Sequence, residues 1–337
     1  MEIVYSSSDS YVVCTGVSMY SLYEHNKNVQ NLNVHILSTD ISDVNKKRLK
    51  EIANYFNRII DIIDAKQDFI EEANRLKLSL LRGAYNTYSR IVLNRWFSNF
   101  DKIMVIDSDT LVTGSIVDAW NIDLSEYILA AVPEIGCYTK NIGFEDPELV
   151  KNLDMYYNLG VCVVNLKNWR DENIDNLLYT SIKEDQPVFK IADQSIINKY
   201  LANKILKLPL KFNYYSGVHN LNYKTACSIF SFKIVFEKQE YVEASLHPSI
   251  IHYVGHSYER PWFKYSVAIK KKEYLATRDK TPWRNIPLDR WSNSSNKVIN
   301  IYDIICFFLL KLHLYTFAKR FRYIGGQAIK NLIQINR

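Results

Sequence analysis

Glycine and proline are scarce in this chain of 337 residues, at 10 and 8. That scarcity excludes collagen-like and low-complexity classes. Cysteine is sparse too: Cys14, Cys137, Cys162, Cys227 and Cys306 stand far apart, with no C-x-x-C pair. An odd, dispersed set fits neither a disulfide framework nor a zinc ribbon. The longest late apolar run, Ile304 to Leu310, falls well short of the roughly 20 residues that span a bilayer. The chain opens on strand-like Ile3-Val4-Tyr5 instead of a basic segment followed by an apolar stretch. No secretory signal is therefore expected, and the expected compartment is the cytoplasm. Neither G-x-G-x-x-G nor G-x-x-x-x-G-K-[ST] occurs, which argues against the usual dinucleotide and P-loop enzymes. A bound diphosphate would have its charge met by metal and side chains instead.

What is present is globular in character. Hydrophobic residues make up 47% and charged residues 23%, enough apolar content to offset the ordering entropy of a core and exclude disorder. The formal net charge of +6 is unevenly placed. Residues 264–337 carry 15 Lys+Arg against 4 Asp+Glu, a balance of +11, so the preceding 263 residues carry −5. An acidic body with a basic tail argues against a nucleic-acid surface and for a tail that meets something anionic.

Short β-rich runs alternate with helical patterns over the first two-thirds, the pattern of an α/β sheet layered by helices. Strands are expected at Glu2–Tyr5, Asn33–Ser38, Arg58–Ile63, Lys102–Ile106, Ile128–Val132 and Val161–Asn165. Leu49, Ile52, Ala53 and Phe56 repeat at helical spacing after Ser42, a candidate N-cap. Tyr88, Ile91, Val92, Arg95 and Trp96 do the same before the fourth strand. The unbroken apolar run Ile103-Met104-Val105-Ile106 predicts a central strand covered on both faces. Past Trp262 the pattern loosens, and the 291–296 stretch reads as a polar, turn-rich connection. From Ile301 to Ile333, large apolar residues mix with Lys311, Lys319, Arg320, Arg322 and Lys330, predicting a basic amphipathic helical tail for a membrane surface.

Ile106-Asp107-Ser108-Asp109-Thr110 is the sharpest candidate site. With 36 acidic residues in 337, roughly four acid-x-acid triplets arise by chance, so context decides. Here an apolar strand delivers both carboxylates at its C-terminal end, where open α/β sheets bind ligands. Extended-chain periodicity aims Asp107 and Asp109 to one side, and a divalent cation relieves their repulsion; solvated acids at a strand end are the alternative. His252, in Ile250-Ile251-His252-Tyr253-Val254-Gly255, offers a third ligand that suits Mn²⁺ better than Mg²⁺, or else is a buried structural histidine. Gly255 would let backbone approach a phosphate and Arg260 would pair with one. In Ala192-Asp193-Gln194-Ser195-Ile196-Ile197-Asn198, Asp193 reads first as a helix N-cap.

In order, these blocks resemble glycosyltransferase family 8, the retaining nucleotide-sugar transferases, and most nearly its bacterial lipopolysaccharide and lipooligosaccharide glucosyl- and galactosyltransferases. The blocks are Val4 to Tyr11, Thr87-Tyr88-Ser89-Arg90 before Asp107-Ser108-Asp109, Asn158-Leu159-Gly160-Val161 leading to Trp169-Arg170, Asp193-Gln194 to Asn198, and His252-Tyr253-Val254-Gly255 to Arg260-Pro261-Trp262. The resemblance spans about residues 2 to 262. It implies a GT-A fold, a Rossmann-like mixed sheet flanked by helices, over residues 1–262; residues 263–337 are the basic, aromatic-rich region whose composition points to membrane attachment, with packing on the body or on another subunit as the alternative.

It further implies that Asp107, Asp109 and His252 hold Mn²⁺, with Mg²⁺ as the other candidate, against the diphosphate of a UDP-sugar. Ser8, Asp9 and Tyr11 would lie at the nucleoside, and Ser108 within the metal turn. Arg90, Asn158, Asp193 and Gln194 would contact the donor sugar, Gly255 and Arg260 the phosphates, and Glu134 the acceptor side. Asp193, Gln194 and Glu134 are then the candidates for chemistry, with same-face attack preferred to a covalent intermediate. The implied activity is hexose transfer, galactose or glucose, from UDP to a glycan or lipid-linked oligosaccharide for cell-surface polysaccharide. It is placed peripherally on the inner face of the cell membrane. A sugar-nucleotide hydrolase, or a non-catalytic binding protein of the same fold, are the alternatives. Three departures stand out: Ser8 where the family often has an acid, Arg260 where it has lysine, and two extra residues between Gly255 and Arg260.

Overall fold

A computed structural model describes residues 1–78, 86–136, 147–151, 153–185, 191–230, 235–290 and 297–322. Cys137, the 291–296 connection and Lys330 lie outside the described residues. Ten strands form two sheets: β1 (Glu2–Ser7), β2 (Asn33–Ser38), β3 (Ile60–Asp64), β4 (Lys102–Ile106), β5 (Thr110–Val112), β6 (Leu129–Pro133), β7 (Tyr157–Asn165), β8 (Ile205–Lys207), β9 (Tyr214–Tyr215) and β10 (Ile250–His252). The larger sheet runs β3-β2-β1-β4-β7-β6-β8 and the smaller β5-β10-β9. β1, β2, β3 and β4 pair in parallel, while β7 runs antiparallel to both β4 and β6. This is the mixed, helix-flanked sheet expected from the sequence.

The apolar run of β4 works on both faces. Met104 and Ile106 enter one core cluster, with Ile3 and Tyr5 of β1 and Val161 and Val163 of β7. Ile103 and Val105 enter the other, with Val4, Cys162 and Val164. Alternation within a fully apolar strand therefore feeds two layers at once. Helix Val12–His25 covers the first layer, and its close fit continues beyond the family blocks. A Cβ on Gly16 would fall 2.2 Å from the buried Trp283 ring, whose Nε1 donates to Asn45 Oδ1 at 3.0 Å. Tyr274 of helix Lys271–Asp279 is buried in the same cluster.

Helix Asp43–Tyr55 begins as expected, with the Ser42 hydroxyl accepting from Asn45 N. The helical pattern around Tyr88 differs. It is a 3-10 turn, Asn86–Ile91, followed by the short helix Leu93–Phe97. The Arg90 N–H goes to the Asp193 carboxylate at 3.0 Å instead of to the preceding turn, which breaks the α-helical ladder. β5, β8, β9 and β10 were not expected, being two or three residues long and paired with distant segments.

The tail forms helices Lys297–Lys311 and Tyr315–Arg320. Among the described residues no helix is long and apolar enough to cross a membrane. The helices dock on the body through Tyr258, Cys306, Leu310 and Ala318. Leu310 and Lys319 of this basic amphipathic tail are buried. Ile304, Ile305, Phe308, Leu312, Leu314 and Phe317 are exposed.

Candidate active site

The site gathers where β4 ends. After Ile106 the chain turns through Asp107-Ser108 and enters β5, whose Thr110 is registered against His252 of β10. That non-local pairing brings three ligands together: one atom each from Asp107, Asp109 and His252 lies within 4.8 Å of the others. His252 Nε2 is 3.1 Å from Asp109 Oδ1 and 3.8 Å from Asp107 Oδ2. The turn is pinned underneath by Ser108, whose hydroxyl donates to the Ser6 carbonyl at 3.2 Å and accepts from Thr15 at 2.8 Å.

The imidazole is oriented by a chain of amides that begins at a carboxylate. Glu134 Oε2, which can only accept when ionised, takes the Asn158 Nδ2–H at 2.7 Å. Asn158 Oδ1 therefore faces the other way and accepts from Gly160 N at 2.9 Å and from Asn213 Nδ2 at 2.8 Å. Asn213 Oδ1 is left to accept from His252 Nδ1 at 2.9 Å. Nε2 is thereby aimed at the two carboxylates, the arrangement that outer hydrogen bonds impose on metal-ligating histidines. Asn213 was missed in the sequence because nothing near it in the chain marks it. Gly160 was quoted without a reason, which the structure supplies: a Cβ there would sit 2.2 Å from His252 Cε1.

The backbone of β7 serves the site as well. Pairing with β6 shifts between Ala131, opposite Cys162, and Val132, opposite Asn158, so residues 159–161 lose their β6 partners. Their polar groups are taken by side chains and the Asp107-Ser108-Asp109 turn. Leu159 N donates to Gln194 Oε1 at 3.1 Å, and the Leu159 carbonyl accepts from Arg90 Nε at 2.9 Å. The Gly160 carbonyl accepts from Asp107 N at 2.7 Å. Asn198 closes the same edge, bonding both the N–H and the carbonyl of Tyr157.

Asp193 is a correction to the capping reading. Ile191 is the cap of helix Ala192–Leu201, and Asp193 stands within its first turn with no backbone donor of its own helix recorded on it. Its Oδ2 accepts from Arg90 N and lies 3.4 Å from Arg90 Nη1, while Arg90 Nη2 pairs with Asp107. The buried guanidinium thus ties the helix to the Asp107-Ser108-Asp109 turn.

Burial disfavours charge on all these groups, and their neighbours decide the outcome. For Asp109, the His252 ring beside it overcomes burial and holds its carboxyl below the usual range. His252 is raised in turn, burial being outweighed by Asp109. Asp193 is raised by burial, only partly offset by Arg90.

At the other end, Asp9 Oδ1 accepts from Ser42 N at 2.8 Å, from the Ser42 hydroxyl at 2.9 Å and from Asn45 Nδ2 at 2.8 Å. The Ser8 and Ser10 hydroxyls are 2.9 Å apart. Arg260 Nη1 reaches the Tyr11 hydroxyl at 3.2 Å, and its Nε–H is buried with no partner among the described residues. Gly255 has φ +128 and would direct a Cβ to 2.6 Å from Glu259 Oε2, so glycine is required there.

The family model described as Glycosyl transferase family 8 matches residues 2–266. A glycosyltransferase-like protein of Haemophilus influenzae is 27% identical over 215 residues, covering 64% of this chain and 63% of that protein. The lipopolysaccharide 1,3-galactosyltransferase of Salmonella typhimurium is 24% identical over 296 residues, covering 85% of this chain and 80% of its own. Among solved structures, the apo bifunctional glycosyltransferase WbbM superposes with a TM-score of 0.70 at 23% identity, over 84% of this chain and 50% of that one. Galactosyltransferase LgtC, solved with donor and acceptor sugar analogs, superposes with a TM-score of 0.68 at 21% identity, over 84% of this chain and 99% of its own. The fold is that of the GT-A transferases.

Proposed function

The chain belongs to glycosyl transferase family 8, and on that premise we propose that it is a retaining, metal-dependent transferase moving a hexose from a UDP-sugar to a glycan or lipid-linked oligosaccharide. The observation that carries this reading is the cluster of Asp107, Asp109 and His252, with the imidazole turned toward the carboxylates by Asn213. Two carboxylates and one imidazole fit Mn²⁺ well and Mg²⁺ less well. When bound there, the metal supplies a Lewis acid facing the diphosphate.

The remaining work falls to side chains. Arg260, with an Nε–H that lacks a partner among the described residues, pairs with the phosphates and stabilises the charge that builds as the sugar leaves. Ser8, Asp9 and Tyr11 bound the nucleoside. Arg90, Asn158 and Gln194 line the sugar, and Glu134 faces the acceptor. Asp193 Oδ2 is committed to Arg90, which supports a role in holding that guanidinium and disfavours attack by this carboxylate. The acceptor oxygen then bonds to the anomeric carbon on the face from which UDP departs. Its proton passes to the leaving phosphate oxygen.

The two tail helices support attachment to an anionic membrane surface. Exposed Phe308, Leu312 and Phe317 insert, while lysines and arginines gain about 1 kcal/mol each near the head groups. The acceptor is thus lipid-borne and met at the inner face of the cell membrane, as in lipopolysaccharide synthesis. The test is incubation with UDP-galactose and UDP-glucose, MnCl₂, and lipid-linked oligosaccharide. Transfer supports the proposal. Release of free sugar with acceptor present identifies a hydrolase, and no turnover of any donor indicates a binding protein.

A further inference from the structure

The loop from Gly255 to Arg260 lies between the site and the tail. It forms the 3-10 turn Ser257–Glu259, closed by the His256 N–H donating to Glu259 Oε2 at 3.3 Å. The turn is then gripped from behind by the tail. Glu259 and Lys319 are both buried and form an ion pair through Glu259 Oε1. Arg322 Nε donates to His256 Nε2 at 2.9 Å, and Arg322 also pairs with Asp303 at 3.2 Å. Between these polar contacts, Tyr258 packs against Cys306, Leu310 and Ala318, with the His256 ring stacked on it at 5.3 Å.

A buried ion pair adds little net stability, yet its partners depend strongly on each other, because removing one leaves the other charge buried and alone. Glu259 sits between the two groups read as phosphate contacts: its Oε2 fills the space beside Gly255, and it precedes Arg260 in the chain. On the far side Arg260 is anchored to Tyr11. The loop is therefore held at one end by the nucleoside turn and along its back by the tail. We propose that Lys319 and Arg322 are positioning residues for donor binding, clamping the Gly255–Arg260 loop through Glu259 and His256 so that docking of the tail sets the affinity for the nucleoside diphosphate. This rests on the reading that Gly255 and Arg260 meet the donor phosphates.

The clamp has a consequence for the tail. Two of its cations, Lys319 and Arg322, are spent inside the protein, while its large apolar side chains such as Phe308 and Phe317 remain exposed. One element thus has a face for the loop and a separate face for its surroundings.

The test uses the full chain carrying Lys319→Met, with UDP and MnCl₂ as the probe. Affinity for UDP is expected to fall about tenfold, with the donor KM raised to match and kcat within about twofold of wild type. Because Lys319→Met leaves the Glu259 carboxylate without its partner, E259Q/K319M is the second variant, in which neither charge remains. Its UDP affinity is expected to lie between wild type and Lys319→Met. Hydrogen exchange at the amides of residues 255–260 is read in parallel and is expected to quicken in both variants. Unchanged UDP affinity in both, or unchanged exchange in the loop, overturns the clamp. Quickened exchange in a protein whose wild type ignores UDP supports the clamp and counts against the donor reading alone.

Discussion

At the residue scale, the arrangement depends on small distances around His252. The sequence shows Gly160 only as one letter of a block, whereas its lack of a side chain makes room for the imidazole. Gly160→Ala is expected to displace His252, lowering kcat/KM by about 10- to 100-fold and stability by about 1 to 3 kcal/mol. Steady-state kinetics and urea unfolding measure the two losses; full activity would contradict the geometry. The titration of His252 gives a second prediction. Its ordinary value is about 6.5, and Asp109 raises it despite burial. In the metal-free protein the charged ring therefore contributes stability that is full below about pH 6.5 and lost as pH rises through the raised value. A metal must displace that proton, so Mn²⁺ affinity climbs as pH rises over the same window, with about one proton released per ion. Calorimetry in buffers of different protonation enthalpy reads the proton count, and a pH-independent affinity would contradict the assignment.

At the scale of elements, legibility followed length and locality. The six expected strands are all present, with ends within a few residues, because each is long enough to carry its own apolar run. β10 is not legible in this way: three residues give no period, and its partners are Thr110–Val112 and Tyr214–Tyr215, both far away in sequence. Yet that pairing brings His252 to the carboxylates. Asn213 was equally hidden, since its value lies in which way its amide is turned by Asn158. The tail was read correctly as helical and amphipathic, but its composition did not show which residues face the body, and Leu310 and Lys319 pack inward. What remains exposed is a set of large apolar residues including Phe308 and Phe317. F308E/F317E in the full chain is expected to reduce sedimentation with vesicles containing phosphatidylglycerol, without loss of UDP binding. Sedimentation equal to wild type would contradict the membrane reading.

For the whole molecule, the modest net charge conceals a division of labour. The body is acidic, and its candidate metal site is built from carboxylates; the tail is basic, and two of its cations are used against Glu259 and Asp303 inside the protein. The sheet brings three remote segments to one end: the close of β4, the irregular stretch of β7, and β10. The helix starting at Ala192 holds Arg90 through Asp193, and the tail pairs with Glu259, the residue before Arg260 in the chain. On the proposed function, this assembly binds a nucleoside diphosphate through a metal. The affinity for UDP of wild type and Asp109→Asn, each with and without MnCl₂, tests this. Firm binding is expected only in wild type with Mn²⁺. Equal affinity without the metal, or in the variant, would contradict it.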